Sequence, residues 1–219
     1  MRIGLIGLGY WGPNYARVLT ELPQTDLIAA CDLSEAATQF VRGRYPAVRT
    51  TLDPTDVIES PEIDAVVIAT PTSTHYALAL AALGAGKHVL CEKPLATSTA
   101  ECDELIEAAE RAGRVLFAGH TFIFNPAVRM MRELIVAGEV GRVLYCHTAR
   151  TGLGPIRSDV NALWDLAPHD LSILFYLIDR EPVSALATGQ AILRDDVEDV
   201  VFVHLSFEEG IFGAAHLSW

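Results

Sequence analysis

The chain has 219 residues, of which 51% are hydrophobic and 20% charged, a composition that excludes disorder and leaves ample length for a real core. Sixteen Lys and Arg against 28 Asp and Glu give a formal net charge of −12, so neither nucleic acid nor an anionic membrane surface is an expected partner. No apolar run approaches the ~20 residues of a membrane span. The four cysteines (Cys31, Cys91, Cys102 and Cys146) are too dispersed for a disulfide framework or a zinc site, so no metal is expected. The opening Arg2-Ile3-Gly4-Leu5-Ile6 is too short and glycine-interrupted for a signal peptide, and a reduced, cytoplasmic protein is the resulting expectation.

Short apolar runs at 3–6, 27–31, 65–69 and 88–91, bounded by Gly, Pro or Asp, read as strands buried on both faces. Between them, 14–22, 35–45, 74–85 and 99–112 carry helical spacing or composition, with helix stops at Gly84, Gly86 and Gly113. This alternation predicts a parallel, doubly wound α/β sheet with right-handed crossovers over residues 1–119. From residue 120 the pattern changes. A helix near 126–137, a strand-like 143–150, a loop through Gly152, Gly154 and Pro155, and a helix near 166–178 come first. Strand-like segments 183–192, 197–207 and 211–219 follow, joined by short turns such as Glu208-Glu209-Gly210. A second, α+β domain over 120–219 with a mostly antiparallel open sheet is predicted. Because the chain stops inside a strand-like run at Trp219, an unpaired apolar edge and an incomplete sheet are expected.

The chemistry starts in the loop after the first strand, Gly7-Leu8-Gly9-Tyr10-Trp11-Gly12. In a strand–loop–helix context, Gly7 makes the tight turn, Gly9 lets backbone approach a pyrophosphate, and Gly12 lets helix and strand pack closely. The helix N-terminus adds N–H donors and a positive dipole. Pro13 in the first turn forfeits no needed hydrogen bond. Asp32 lies 20 residues after Gly12, directly after the second strand. There its carboxylate accepts from adenosine ribose hydroxyls and repels a 2′-phosphate, favouring NAD over NADP. The alternative is a plain glycine turn with an Asp capping the next helix. Thr70 and Pro71 follow a later strand and line the crevice of such a sheet. His75 reads either as part of that lining or as a hydrogen-bonded residue early in a helix.

Glu92-Lys93-Pro94 closes the run at 88–91. A lysine there either binds a substrate oxygen beside the nicotinamide or is a solvated strand-end residue. Asp165 and His169 are four apart and share one face if both are helical. Pro168 places them in a first turn with Asp165 near the N-cap, and an N-cap with an interfacial histidine is the plain alternative.

Gly7 to Gly12, Asp32, Thr70-Pro71 through His75, Glu92-Lys93-Pro94 and Asp165-x-x-x-His169 together resemble the glucose-fructose oxidoreductase/inositol dehydrogenase (Gfo/Idh/MocA) family, in order and across the chain. The resemblance implies an N-terminal Rossmann domain and a C-terminal α/β domain whose open sheet often forms a homo-oligomer interface. It makes Lys93, Asp165 and His169 the catalytic set, and implies a cis Lys93–Pro94 bond. Cofactor contacts fall to Gly7, Gly9, Tyr10, Trp11, Gly12, Asp32, Thr70, Pro71, His75, Glu92 and Lys93. The stretch 154–164 is similar to members acting on sugars or nucleotide-activated sugars, with Arg157 and Asn161 as candidate substrate contacts. Relatives run on past the point where this chain ends.

The implied reaction is reversible oxidation of a secondary alcohol of a sugar or cyclitol. His169 is the base, because imidazole chemistry near neutrality serves proton transfer in both directions. Lys93 stabilises charge on the same oxygen, and Asp165 orients substrate or His169. The rivals are an NAD-dependent glycosidase or epimerase working by transient oxidation, and a catalytically silent NAD-binding module.

Overall fold

A computed structural model describes residues 1–154 and 160–219, and the chain divides into two units, Met1–Gly119 and His120–Trp219. The first unit runs β1 (Arg2–Ile6), α1 (Gly12–Glu21), β2 (Asp26–Cys31), α2 (Glu35–Arg44), β3 (Arg49–Thr51), α3 (Thr55–Ile58), β4 (Ala65–Ile68), α4 (His75–Gly84), β5 (His88–Cys91), α5 (Thr99–Ala112) and β6 (Leu116–Ala118). All six strands are parallel, in the order β3-β2-β1-β4-β5-β6. The order reverses between β1 and β4, where a doubly wound sheet opens its ligand crevice.

Alternation along the strands explains why both faces are covered. Ile3 and Leu5 of β1, with Ala65 and Val67 of β4, pack with Ala16 and Leu19 of α1 and Val41 of α2. Their neighbours Ile6, Val66 and Ile68 face the other way, onto Val57, Ala79, Leu83 and Leu105. The inner strands β1, β2, β4 and β5 are therefore apolar on both faces, as buried parallel strands require. The helix stops lie where the glycines predict: α4 ends at Gly84, and Gly113 caps α5 with φ 61°. The first helix starts at Gly12, two residues before the periodic pattern begins.

The second unit contains α6 (Pro126–Val136), β7 (Tyr145–Thr151), α7 (Ala162–Ile178), β8 (Ser184–Gln190), β9 (Val200–Ser206) and β10 (Phe212–Ser218). The sheet order is β7-β10-β9-β8, with β10 antiparallel to β9 and parallel to β7. The sheet is therefore mixed, and two of its three pairings are antiparallel. The last strand does not leave the unpaired edge expected of it: β10 is inserted between β7 and β9. One face, through Val201, Val203, Leu205, Ala215 and Leu217, packs against Ala167, Leu174 and Ile178 of α7.

The other face carries Tyr145 stacked on Phe212 at 5.2 Å and Phe202 stacked on His216 at 4.2 Å. Leu186, Phe202 and Phe212 are all exposed. Among the described residues no helix is long and apolar enough to cross a membrane.

Candidate functional site: the dinucleotide loop and its neighbours

The loop after β1 turns at Gly7, whose φ of +98° suits glycine. A Cβ at Gly7 would stand 2.5 Å from the backbone carbonyl of Ala69, and one at Gly12 would stand 2.5 Å from the Gly7 oxygen. These two positions fold the loop tightly against β4 and draw α1 in behind it. At Gly9 the contrast is complete: among the described residues nothing lies within 4 Å of the Cβ position, and the residue is exposed. Open space over bare backbone is what a diphosphate needs in order to approach it. The N-cap residue of α1, Trp11, makes no side-chain cap hydrogen bond, and Pro13 occupies the first turn. The donors there suit an anion. Beside them Tyr10 and Trp11 form an exposed edge-to-face pair, 5.9 Å between centroids.

Asp32 stands at the end of β2. Its Oδ2 accepts the Leu8 N–H at 2.7 Å and its Oδ1 accepts the Ser34 N–H at 2.8 Å. The carboxylate thus ties the glycine loop to the strand end. The cap of α2 is Ser34, whose hydroxyl accepts the Ala37 N–H. Burial, with Asp32 alongside, pushes the neighbouring Cys31 thiol up to about 12. The thiol therefore remains neutral beside the carboxylate. An NAD moiety fits this set: an open glycine backbone for the diphosphate, and a half-buried carboxylate with lone pairs left for ribose hydroxyls.

The loops after β4 and β5 complete this edge. The Thr74 hydroxyl donates to Thr70 Oγ1 at 2.7 Å, and Pro71 is exposed. His75 is 1% exposed; its Nδ1 lies 2.8 Å from the Pro94 carbonyl oxygen and its Nε2 lies 2.9 Å from that of Thr70. It supports the two loops from within and offers no open edge to a ligand. Glu92 is buried, Lys93 is half-buried, and the Lys93–Pro94 bond is cis, as the resemblance implied.

In the second unit, Asp165 and His169 both lie on α7, four residues apart. That helix starts at Ala162, four residues before the sequence pattern places it. Asn161 is its N-cap, with Oδ1 accepting the Trp164 N–H at 3.0 Å. Pro168 therefore sits inside the helix, where its missing N–H forfeits the bond to the carbonyl of Trp164. The cap is therefore Asn161 and not a residue near Asp165, and Pro168 lies beyond the first turn expected of it.

The Asn161 Nδ2 donates to Glu198 Oε2 at 2.9 Å, so both ends of this candidate substrate contact are engaged within the protein. Arg157 lies outside the described residues. Asp165 Oδ2 accepts the indole N–H of Trp219 at 3.2 Å. The His169 ring meets Phe122 edge-on at 4.8 Å. Arg150 lies over the same phenyl ring at 4.4 Å and pairs at 2.6 Å with the buried Asp170. Phe122, Arg150 and Asp170 had no motif to announce them.

Strand order, glycine loop and strand-end carboxylate define a dinucleotide-binding Rossmann domain, followed in the chain by an α/β unit of mixed sheet. Residues 1–120 match the family model described as "Oxidoreductase family, NAD-binding Rossmann fold", and residues 128–219 match that of the GFO/IDH/MocA C-terminal domain. The chain belongs to the GFO/IDH/MocA family.

It is 34% identical over 218 residues to inositol 2-dehydrogenase 2 of Saccharopolyspora erythraea, covering 96% of this chain and 64% of that protein. Against UDP-N-acetylglucosamine 3-dehydrogenase of Acidithiobacillus ferrooxidans, identity is 35% over 204 residues, covering 90% and 61%. The crystal structure of GenD2 from gentamicin A biosynthesis, in complex with NAD, superposes with a TM-score of 0.92 at 27% identity, over all of this chain and 66% of that one. The chain spans roughly two thirds of the length of these relatives.

Proposed function

We propose that the protein is an NAD-dependent oxidoreductase moving hydride between the nicotinamide and a secondary alcohol of a sugar, cyclitol or nucleotide-sugar. The observation that carries the reading is the open Gly9 backbone flanked by the anchored Asp32 carboxylate, in a chain that also holds Lys93 and the Asp165–His169 pair. Relatives named as inositol and UDP-N-acetylglucosamine dehydrogenases support the substrate class.

Bound NAD would supply the hydride acceptor. Gly7, Gly9, Gly12 and the α1 N-terminus would hold its diphosphate, with Tyr10 and Trp11 beside them, and Asp32 its adenosine ribose. Thr70, Pro71 and Glu92 belong to the loops lining the cofactor. His169 would take the hydroxyl proton on its imidazole, Lys93 Nζ would donate to the same oxygen, and Asp165 would orient substrate or base. Residues 1–119 thus form the cofactor domain and 120–219 the substrate and oligomerisation domain.

The test is a panel of inositols, hexoses and nucleotide-sugars with NAD, followed by nicotinamide absorbance. Net NADH formation with at least one member is expected. Turnover of a sugar without net NADH overturns the dehydrogenase reading in favour of transient oxidation.

The exposed face of the second sheet, with its two stacked ring pairs and Leu186, supports self-association through that face. Introducing a charge at its centre, Phe202→Glu, is expected to shift the sedimentation coefficient to that of a monomer. An unchanged oligomer would rule this face out. Four free thiols suit a reducing compartment, and we place the protein in the cytoplasm.

A further inference from the structure

The turn that carries Lys93 is gripped from two sides by side chains of two helices, α1 and α4. On one side Tyr15, in α1, donates its hydroxyl to Glu92 Oε1 at 2.6 Å, and Glu92 Oε2 accepts the backbone N–H of Lys93 at 3.1 Å. The Glu92 side chain is buried, and Gly119 backbone lies against it: a Cβ added there would stand 3.3 Å from both the Glu92 Cα and its Cδ. On the other side His75, in α4, faces the carbonyl oxygen of Pro94 with one ring nitrogen and that of Thr70 with the other. Burial, and then the hydrogen bond to Glu92, raise the Tyr15 phenol well above its ordinary value, so it stays protonated as a donor.

We infer that Tyr15 is a positioning residue for Lys93, acting through Glu92 as one arm of a clasp whose other arm is His75. The clasp ties the loop and helix after β1, the Thr70 loop and the Lys93–Pro94 turn into one block behind the cofactor edge of the sheet. Its logic is preorganisation. Lys93 projects from a turn with no regular structure of its own, and small displacements of a reacting group cost rate out of proportion to their size. Glu92 is the hinge of the device: a buried carboxylate needs partners, and here they are one phenol and one backbone amide. Tyr15 reaches Lys93 through Glu92. The inference rests on the assignment of Lys93 to the reaction.

The variant Tyr15→Phe removes one oxygen and leaves the ring packing intact. In the whole protein, the amide hydrogen of Lys93 is expected to exchange about tenfold faster, because a hydrogen-bonded tether has been lost. Exchange at Val67 and Val89, in the strand cores, should not change. With sugar and NAD saturating, kcat should fall about tenfold to 10²-fold, as displacement of a reacting group does. KM for the sugar and Kd for NAD should stay near their wild-type values.

Unchanged exchange at Lys93 overturns the clasp. Faster exchange with an unchanged kcat, or a loss confined to NAD affinity, overturns the positioning role. If the wild-type protein turns over no sugar at all, it is the proposed function that fails. The exchange measurement, made without cofactor, then still decides whether Tyr15 holds the turn.

Discussion

The variant His169→Ala should lose about 10²-fold or more in kcat at saturating sugar and NAD, the contribution a positioned general base makes to proton transfer. Its NAD affinity should stay close to wild type. The substitution is clean for structural reasons. The residue lies inside α7, where alanine is the strongest helix former. The ring's neighbour Phe122 stays fixed by Arg150, which stacks on it and is anchored by the buried Asp170. Truncating the imidazole therefore leaves Phe122 in place.

Added imidazole should restore part of the lost rate, because a base that acts by taking a proton can be replaced by one that diffuses in. A structural histidine shows no such rescue. Near-native turnover in the variant removes His169 from the base role and moves that assignment to another group. Steady-state kinetics and a calorimetric Kd for NAD on the same preparation separate these outcomes.

The residues best legible in the sequence were those whose physics is local. The alternation of short apolar runs with helical stretches needs only the two-sided burial of β1, β2, β4 and β5, and that burial is present. The glycines of the first loop were legible because tight turns and close packing leave few other residue types able to serve.

What stayed hidden was either short or long-range. The edge strand β3 is Arg49-Thr50-Thr51, with no apolar residue to announce it. That β10 lies inside its sheet follows from pairings across the chain, and no pattern within 211–219 encodes them. Tyr15 and Glu92 are 77 positions apart, and their contact exists only because α1 packs where it does. The start of α7 was legible and misread. Asn161 followed three residues later by its bonded Trp164 amide is an ordinary N-cap, and Pro168 drew the expected boundary inward.

The variant Asp32→Ser separates three effects of one carboxylate, and its largest expected consequence is on cofactor choice. Oδ2 holds the Leu8 N–H and Oδ1 holds the Ser34 N–H. A carboxylate has about four acceptor sites, so lone pairs remain for ribose hydroxyls. Hydrogen bonds to a charged group contribute about 1.5–3 kcal/mol, so NAD affinity should fall about tenfold to 10²-fold. Loosening of the glycine loop, through the lost bond to Leu8, weakens NAD and NADP alike. Loss of the ribose contacts at the 2′ position weakens NAD alone. Removal of the negative charge helps NADP alone, because its 2′-phosphate no longer meets a like charge. The ratio of the two Kd values cancels the first effect and sums the other two, so it should move towards NADP whatever the loosening of the loop costs. Titration calorimetry with both dinucleotides measures it. A ratio unchanged from wild type would mean that Asp32 only anchors the loop, and that discrimination between the cofactors resides elsewhere.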